Sequence, residues 1–232
     1  MGHLIGHSFG DPPYNYDRAE EITVVFRTDP DVLAACLPPV LKPLGTRSLA
    51  VARVMRHARS TFGPYVGVYL GAPALLEDEP VFHLFSGLKT DFSGAVAGRE
   101  VWGMPLQVGD VTMGWNGDVL NVVAGRHGID FVRFSVRLEC RTEAPTSRPT
   151  YGTFATRRQV FEKDSTDNVL VGLKGEADLS ETKHWKASGV VKLVGGEPGD
   201  DWSIFPVREI VETRYNTGGY DTLNRGVVLA EW

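Results

Sequence analysis

The run from Val132 to Cys140 sets the strongest constraint on what this chain can fold into. Every second residue in it is apolar or cysteine, and the residues between are charged or polar. This period of two is typical of a β-strand with one buried face. The apolar segment Val119–Ala124 precedes it, and Gly125–Gly128 supplies a turn between the two. The pattern therefore predicts a β-hairpin.

Short apolar segments separated by glycine and proline predict further strands. We expect them at Glu21–Phe26, Ser48–Met55, Tyr65–Leu70, Val81–Leu88, Val160–Glu162, Val169–Leu173, Gly189–Val194 and Glu209–Arg214. Helix signals are fewer. The sequence Thr28-Asp-Pro-Asp provides a cap and a first-turn proline for a helix that Pro38 ends, and a weaker signal marks Ser180–Ala187.

These signals predict a mainly β protein, a β-rich α+β fold in which antiparallel sheets roll into a cone or barrel and a few helices lie at the periphery. No linker, repeat or low-complexity run divides the chain of 232 residues. We therefore expect one domain over residues 1–232, with residues 1–12 as a flexible N-terminal segment.

Charge and cysteine content narrow the functional classes. Lys and Arg number 24 against 29 Asp and Glu, and the basic residues are spread along the chain, which argues against a nucleic-acid partner. No apolar run approaches a membrane span, and the N-terminus lacks a secretory signal pattern, so we expect no membrane partner. Cys36 and Cys140 have no CxxC partner, which favours reduced thiols in a cytoplasmic protein, with a disulfide between them as the alternative.

Two short motifs lack the context that their chemistry needs. Residues Gly6–Gly10 match G-x-S-x-G, but a hydrolase requires a strand before the serine and a helix after it, and Asp11-Pro-Pro follows here. His3 and His7 lie among glycines without a third ligand. The chain also has no P-loop, no dinucleotide fingerprint and no HExxH sequence. We therefore expect no metal ion and no cofactor.

The segment Ala95–Pro105, which reads AVAGREVWGMP, is the most informative motif. Four further blocks accompany it in order: Glu21–Asp31, Leu37–Pro39, Gly63–Tyr65 and Phe205–Val211. Together they resemble the acetoacetate decarboxylase family, from about residue 13 to the C-terminus. The resemblance implies a β-rich cone or partly rolled barrel around a central pocket, and it favours a homo-oligomer.

The resemblance breaks at the residues that carry the family's chemistry. In the decarboxylases two lysines follow the proline of this motif, and the first forms a Schiff base with the keto acid. This chain has Leu106 and Gln107 in those places. The family's Gly-Pro-Tyr segment usually carries a glutamate two residues after the tyrosine, where this chain has Gly67. A second family glutamate falls on Ala52, or on Arg53 if the register shifts by one.

Among the remaining lysines, Lys89 is the one near the motif strand. Its neighbour Leu88 matches a pocket-facing position in the family. Because side chains alternate along a strand, the resemblance predicts that Lys89 points the other way, into solvent. A relocated Schiff-base lysine is the alternative.

The replacements remove charge and free volume in one cavity, so they predict an enlarged, apolar pocket. Its expected substrate-binding residues are Ala52, Arg53, Gly67, Leu88, Trp102, Met104 and Leu106. We expect the backbone at Gly67 to accept a side chain without strain. The catalytic candidates are Tyr65 and Gln107 as hydrogen-bonding groups, and Arg99 and Glu100 from the family motif, for which an ion pair that braces the loop is the alternative.

The sequence thus predicts an acetoacetate decarboxylase-like enzyme that acts without a Schiff-base lysine. The expected reaction is a cyclisation, dehydration or isomerisation of a bulky apolar carbonyl compound, polyketide-like or terpenoid-like, in secondary metabolism. A non-catalytic binding protein for a hydrophobic metabolite is the alternative, and a residual decarboxylase is the third hypothesis.

Overall fold

The structure is a computed structural model that describes residues 9–143, 151–157, 168–173, 175–178, 180–196 and 201–232. Within these residues, helices α1 (Pro30–Cys36) and α2 (Phe92–Trp102) and a 3-10 helix (Trp202–Ile204) accompany many strands. The strands are β1 (Tyr14–Arg27), β2 (Leu41–Pro43), β3 (Leu49–Ser60), β4 (Tyr65–Leu76), β5 (Glu79–Lys89), β6 (Leu106–Val108), β7 (Asp110–Asn116), β8 (Val119–Arg126), β9 (Ile129–Thr142), β10 (Tyr151–Arg157), β11 (Asn168–Leu173), β12 (Gly175–Asp178), β13 (Lys183–Leu193), β14 (Glu209–Thr217), β15 (Tyr220–Leu223) and β16 (Val227–Glu231).

The strands form one continuous sheet in the order β16-β11-β10-β5-β4-β3-β1-β14-β13-β9-β8-β7. Among the described pairs, those of β5 with β10 and with β6 are parallel and the rest are antiparallel. The hairpin predicted around Gly125–Gly128 is β8–β9. The prediction of a mainly β fold with rolled antiparallel sheets is confirmed.

The sheet curls so that its β7 end returns to β5 and β3. The Gly109 backbone N–H, just before β7, donates a hydrogen bond of 3.0 Å to the Lys89 carbonyl at the end of β5. The Arg56 Nη2 of β3 donates one of 2.8 Å to the Met113 carbonyl of β7. The curled sheet encloses the main hydrophobic core, whose buried members include Ile22, Val24, Phe26, Ala52, Val54, Val68, Leu88, Leu120, Val122, Phe131, Phe134 and Trp202.

Helix α2 forms over most of the motif segment, where the sequence analysis predicted no helix. The Asp91 carboxylate caps it by accepting from the Gly94 N–H, and Gly103 ends it in the left-handed conformation at a φ of 75°. Its buried face consists mainly of glycine and alanine, which carry little of the apolar periodicity that identifies a helix from sequence. The small residues let the helix lie close against β5 and β6.

Three other sequence predictions have a clear outcome. Helix α1 is confirmed, with Asp29 as its cap. The helix predicted at Ser180–Ala187 is wrong, because from Lys183 this segment belongs to β13, which pairs with both β9 and β14. Cys36 and Cys140 are free thiols, so the disulfide alternative is excluded.

Some predictions fall where the structure gives no description. The strand at Val160–Glu162, the histidines His3 and His7, and most of the Gly6–Gly10 motif lie outside the described residues. Residues 1–8 of the expected N-terminal segment lie outside them as well. In the part of the chain that is described, no helix has the length and apolar character needed to span a membrane.

Candidate active site

A cavity of about 230 Å³ lies on the face of β3, β4 and β5 that is turned away from the main core. Helix α2, the loop that follows it, and strands β1, β10, β11 and β15 contribute the rest of its wall. The wall is largely apolar, with a few charged and hydroxyl groups. Its residues are Tyr16, Arg53, Met55, His57, Tyr65, Tyr69, Phe82, Leu84, Lys89, Trp102, Met104, Gly152, Leu173, Asp221 and Leu223.

Strand register explains which residues meet in this cavity. Met55 of β3 pairs with Gly67 of β4, and Gly67 pairs with Lys89 of β5, so these three residues form one row across the sheet. Arg53 and Tyr69 form the next row on the same face. Directly paired residues of neighbouring strands have Cβ atoms about 5 Å apart, so each row brings its side chains together.

Lys89 is the buried amine of the cavity. It is only 4% exposed. Its Nζ donates a hydrogen bond of 3.2 Å to the Gly94 carbonyl of α2 and lies 4.5 Å from the centroid of the Tyr65 ring. Burial removes the water that would stabilise the ammonium and lowers the pKa of Lys89 to about 8, although Asp91 opposes the shift. The prediction that Lys89 points into solvent is wrong.

His57 lies next to this amine as a neutral imidazole. Its ring centroid is 4.7 Å from that of Tyr65 and 5.4 Å from that of Tyr16. Burial, and then the positive charges of Lys89 and Arg18, lower the pKa of His57 to about 3. Among the described residues, no hydrogen-bond partner reaches the buried Nδ1.

A buried ionic cluster supports one side of the cavity. Arg18 Nη1 donates a hydrogen bond of 2.8 Å to Glu21 Oε2, and Arg18 Nη2 donates to Asp221. The Nε of Arg53 lies 3.2 Å from Glu21 Oε1, and its guanidinium lies 5.2 Å from the Phe82 ring centroid. The cluster therefore contains two guanidinium groups and two carboxylates, so its positive and negative charges balance on this side of the cavity.

Tyr69 occupies the space beside Gly67. A Cβ built at Gly67 would lie 2.6 Å from Tyr69 Cζ and closer still to its hydroxyl oxygen, so the phenol lies directly over the glycine. Tyr65 and Tyr69 share a side-chain hydrogen bond, and burial raises the pKa of both phenols. The expectation that Gly67 can accept a side chain without strain is wrong, because a phenol already fills that volume.

The structure separates the residues that the sequence analysis assigned to the pocket. Arg53, Tyr65, Trp102 and Met104 line the cavity. Ala52 and Leu88 belong instead to the main core, because each lies one residue away from the cavity-facing positions of its strand.

The remaining candidates lie outside the cavity wall for different reasons. Leu106 is buried under α2, where its side chain fills the space left by Gly87 and Gly98. Gln107 faces away from the cavity and accepts a hydrogen bond from Arg126. Arg99 and Glu100 are exposed on α2.

The sequence analysis missed Tyr69 and His57 as members of the site and considered Lys89 only as the alternative to a solvent-facing lysine. One signal could have found them. Once Arg53 is placed in the pocket, alternation along β3 places His57 there as well. The pairing of β3 with β4 and of β4 with β5 then adds Tyr69 and Lys89.

A second cavity of about 420 Å³ lies on the core side of β5. Leu84 contributes to both cavities. The second one contains His83, whose pKa burial lowers to about 4, and no lysine or arginine is among the described residues that line it. The smaller cavity is the candidate active site because it brings an amine, an imidazole and two phenols together.

Comparison with known proteins agrees with the motif assignment. The acetoacetate decarboxylase profile matches residues 6–231. The acetoacetate decarboxylase of Burkholderia cenocepacia is 30% identical over 116 residues, a match that covers 50% of this chain and 46% of that relative. The resemblance drawn from the sequence motifs is confirmed.

Solved structures show the same fold. An acetoacetate decarboxylase from Legionella pneumophila superposes with a TM-score of 0.86 at 21% identity, covering 97% of this chain and 90% of the other. The enduracididine biosynthesis enzyme MppR in complex with pyruvate gives 0.81 at 20% identity, covering 97% and 93%. An acetoacetate decarboxylase-like enzyme from Sphingomonas wittichii gives 0.79 at 16% identity, covering 100% and 99%. Because the profile matches nearly the whole chain, the protein belongs to the acetoacetate decarboxylase family.

Proposed function

We propose that this protein is an enzyme that activates an apolar aldehyde or ketone by forming an imine with Lys89. The observation that carries the proposal is the buried Lys89 amine, with its lowered pKa, in the wall of the cavity. The proposal departs from the sequence prediction of an enzyme without a Schiff-base lysine.

Lys89 of β5 and Leu106 of β6 both lie under helix α2, on neighbouring strands. Strands β5 and β6 are adjacent and parallel, with Gly87 opposite Leu106. A Cβ at Gly94 would lie 3.7 Å from Lys89 Nζ, and a Cβ at Gly98 would lie 3.5 Å from Leu106 Cγ. Gly94 and Gly98 are one turn apart on α2, about 6 Å. The Lys89 amine therefore lies under the same helix as Leu106, about one turn away from it and on the neighbouring strand.

The lowered pKa supplies the reactive form of the amine. Imine formation needs the nitrogen lone pair, which the ammonium lacks. With a pKa of about 8, roughly one Lys89 in ten is neutral at pH 7, far more than for an exposed lysine. The nitrogen attacks the carbonyl carbon, the oxygen leaves as water, and the protonated imine then draws electrons from a bond at the α-carbon.

The cavity wall supports an apolar carbonyl compound as the substrate. Met55, Phe82 and Leu84 offer apolar contacts, and Trp102 and Met104 add more. The Arg53 guanidinium offers a place for a carboxylate if the substrate is a keto acid. One structural neighbour, MppR, has been crystallised with the keto acid pyruvate.

The imine is compatible with several reactions that follow from it. Cyclisation, dehydration and isomerisation of a carbonyl compound can each pass through an enamine, so the sequence-based hypotheses stay open as outcomes of the same activation. Lys89 also supports decarboxylation as the reaction, because the protonated imine can accept the electron pair that a departing carboxylate leaves behind. A homo-oligomeric state, a cytoplasmic location and a role in secondary metabolism remain predictions.

Exchange of α-hydrogens for deuterium tests this proposal without knowledge of the final product. An imine that interconverts with its enamine exchanges these hydrogens in D₂O, which NMR detects on pyruvate or 4-phenyl-2-butanone. We expect exchange with the wild type, its loss in Lys89→Met, and no change in Lys192→Met, which alters an exposed lysine. Exchange at the wild-type rate by Lys89→Met would contradict the proposal.

A further inference from the structure

We infer that the Tyr69 hydroxyl binds the carbonyl oxygen of an aldehyde or ketone that reacts at Lys89. The inference rests on the proposed function and adds a residue to it. The phenol of Tyr69 fills the space over Gly67, so a neutral hydroxyl lies on the cavity face of β4.

The strand register places this hydroxyl next to the amine. Gly67 is the direct neighbour of Lys89 across β4 and β5, and both lie on the cavity face. The hydroxyl oxygen of Tyr69 lies over Gly67, and therefore over the position adjacent to Lys89. A carbonyl group whose carbon approaches the Lys89 nitrogen can place its oxygen against Tyr69.

The two phenols keep a hydrogen available for such a ligand. A hydrogen bond between two hydroxyl groups uses one of their two hydrogens, so the Tyr65–Tyr69 pair retains one donor. Burial holds both phenols in the protonated form. The pair therefore offers a hydrogen-bond donor without the charge of a carboxylate.

Tyr69 is the member of the pair that faces the ligand space. Tyr65 is 6% exposed. Its ring contacts both the Lys89 Nζ, which lies over the ring, and the His57 imidazole. Both tyrosines line the cavity, but Tyr69 is half-buried whereas Tyr65 is buried. We assign Tyr69 the contact with the carbonyl oxygen and Tyr65 the positioning of Tyr69.

The chemical step balances with the groups present and water. Attack by the Lys89 nitrogen leaves a positive nitrogen and a negative oxygen, and the Tyr69 hydroxyl stabilises that oxygen by donating a hydrogen bond. One proton passes from the nitrogen to the oxygen, which gives a neutral carbinolamine. A second proton, from solvent, converts the hydroxyl into departing water while the nitrogen lone pair closes the C=N bond.

The test compares the rates at which borohydride traps pyruvate or 4-phenyl-2-butanone on Lys89, measured by peptide mass mapping. The variants are Tyr69→Phe, which keeps the ring over Gly67, and Tyr220→Phe, which removes an exposed hydroxyl on β15 as the control. We expect Tyr69→Phe to slow trapping about tenfold or more, and Tyr220→Phe to trap at the wild-type rate. Two further measurements on Tyr69→Phe show whether the Lys89 site is disturbed: the pH midpoint of trapping and the melting temperature. If only the hydrogen bond is lost, we expect both to match the wild type.

The outcomes distinguish this inference from the proposed function. If the wild type gives the Lys89 adduct and Tyr69→Phe gives it at the same rate, the inference is wrong and the proposed function stands. If Tyr69→Phe slows trapping only by shifting the pH midpoint, Tyr69 acts on the amine rather than on the carbonyl oxygen, and the inference is also wrong. If the wild type gives no adduct with either compound, both fail.

Discussion

The Nζ of Lys89 lies 4.5 Å from the centroid of the Tyr65 ring, on the face of β5 opposite to the core residue Leu88. The aromatic face, the Gly94 carbonyl and the charge of Asp91 stabilise the ammonium in place of water. They compensate incompletely for burial, and the lowered pKa of Lys89 follows.

The pH dependence of stability should reveal this lowered pKa. The folded protein releases the Lys89 proton near pH 8, and an unfolded chain releases it near 10.5, so between these values the unfolded state binds more protons and the free energy of unfolding rises with pH. Lys89→Met removes this contribution. We expect the wild type to gain about 2 kcal/mol relative to Lys89→Met from pH 7.5 to 10 in urea denaturation. Parallel profiles for the two proteins would contradict the burial of this amine.

His57 should have the converse effect at acid pH. The pKa of His57 is about 3 in the folded protein and 6.5 in an unfolded chain. Between these values only the unfolded state binds the proton, so the free energy of unfolding falls as the pH drops below 6.5. His57→Phe keeps an aromatic ring between Tyr16 and Tyr65 and removes the titration. We expect the wild type to lose about 2 kcal/mol more than His57→Phe between pH 6.5 and 4.5, measured by urea denaturation. Equal losses would show that His57 titrates normally in the folded protein.

Gly67→Ala should destabilise the protein because its methyl group meets the Tyr69 phenol. We expect a loss of about 1–3 kcal/mol in the free energy of unfolding. Gly114→Ala is the matched control, since it also lies in a strand and a Cβ there meets nothing within 4 Å. In a Tyr69→Leu background, where the phenol is gone, Gly67→Ala should cost much less. An equal cost in both backgrounds would place the clash elsewhere.

Glu21 should be critical for folding because it pairs with both Arg18 and Arg53. Glu21→Gln leaves Arg18 with Asp221 as its one carboxylate partner and removes the carboxylate beside the partly exposed Arg53, so we expect a loss of about 2 kcal/mol in thermal or urea denaturation. Glu209→Gln removes an exposed partner of Arg27 and should cost less than about 1 kcal/mol. Similar small effects from both changes would mean that the buried cluster contributes little.

The sequence was sufficient for most of the longer strands, although it did not predict β7, β10 or β16, and it was insufficient for the side of the sheet that forms the site. Alternation correctly separated Leu88 from Lys89, but a single strand does not show which face meets the core and which meets a cavity. That assignment depends on how the sheet curls and on where α2 lies, which are long-range contacts. The same one-residue difference put Ala52 in the predicted pocket instead of His57 and Met55.

Helix α2 was missed for a related reason. Its buried positions, among them Gly94 and Gly98, are small because the helix must approach β5 and β6 closely, and small residues give no apolar stripe in the sequence. Without the helix, the sequence offered no reason to bury Lys89, whose amine lies beneath Gly94. The sequence motif was enough to identify the family, but the position and burial of the Lys89 amine could be determined only from the structure.

The most direct test of the role of Lys89 is the pH dependence of borohydride trapping, mapped residue by residue. The wild-type protein is incubated with pyruvate or 4-phenyl-2-butanone at a series of pH values, reduced and digested, and the adduct on each lysine is quantified by mass spectrometry. We expect the adduct to form on Lys89 with a midpoint near pH 8, and exposed Lys192 to carry much less adduct at that pH. Adducts spread over the exposed lysines with Lys89 unmodified, or a Lys89 midpoint near 10.5, the ordinary value for lysine, would contradict the proposed role of Lys89.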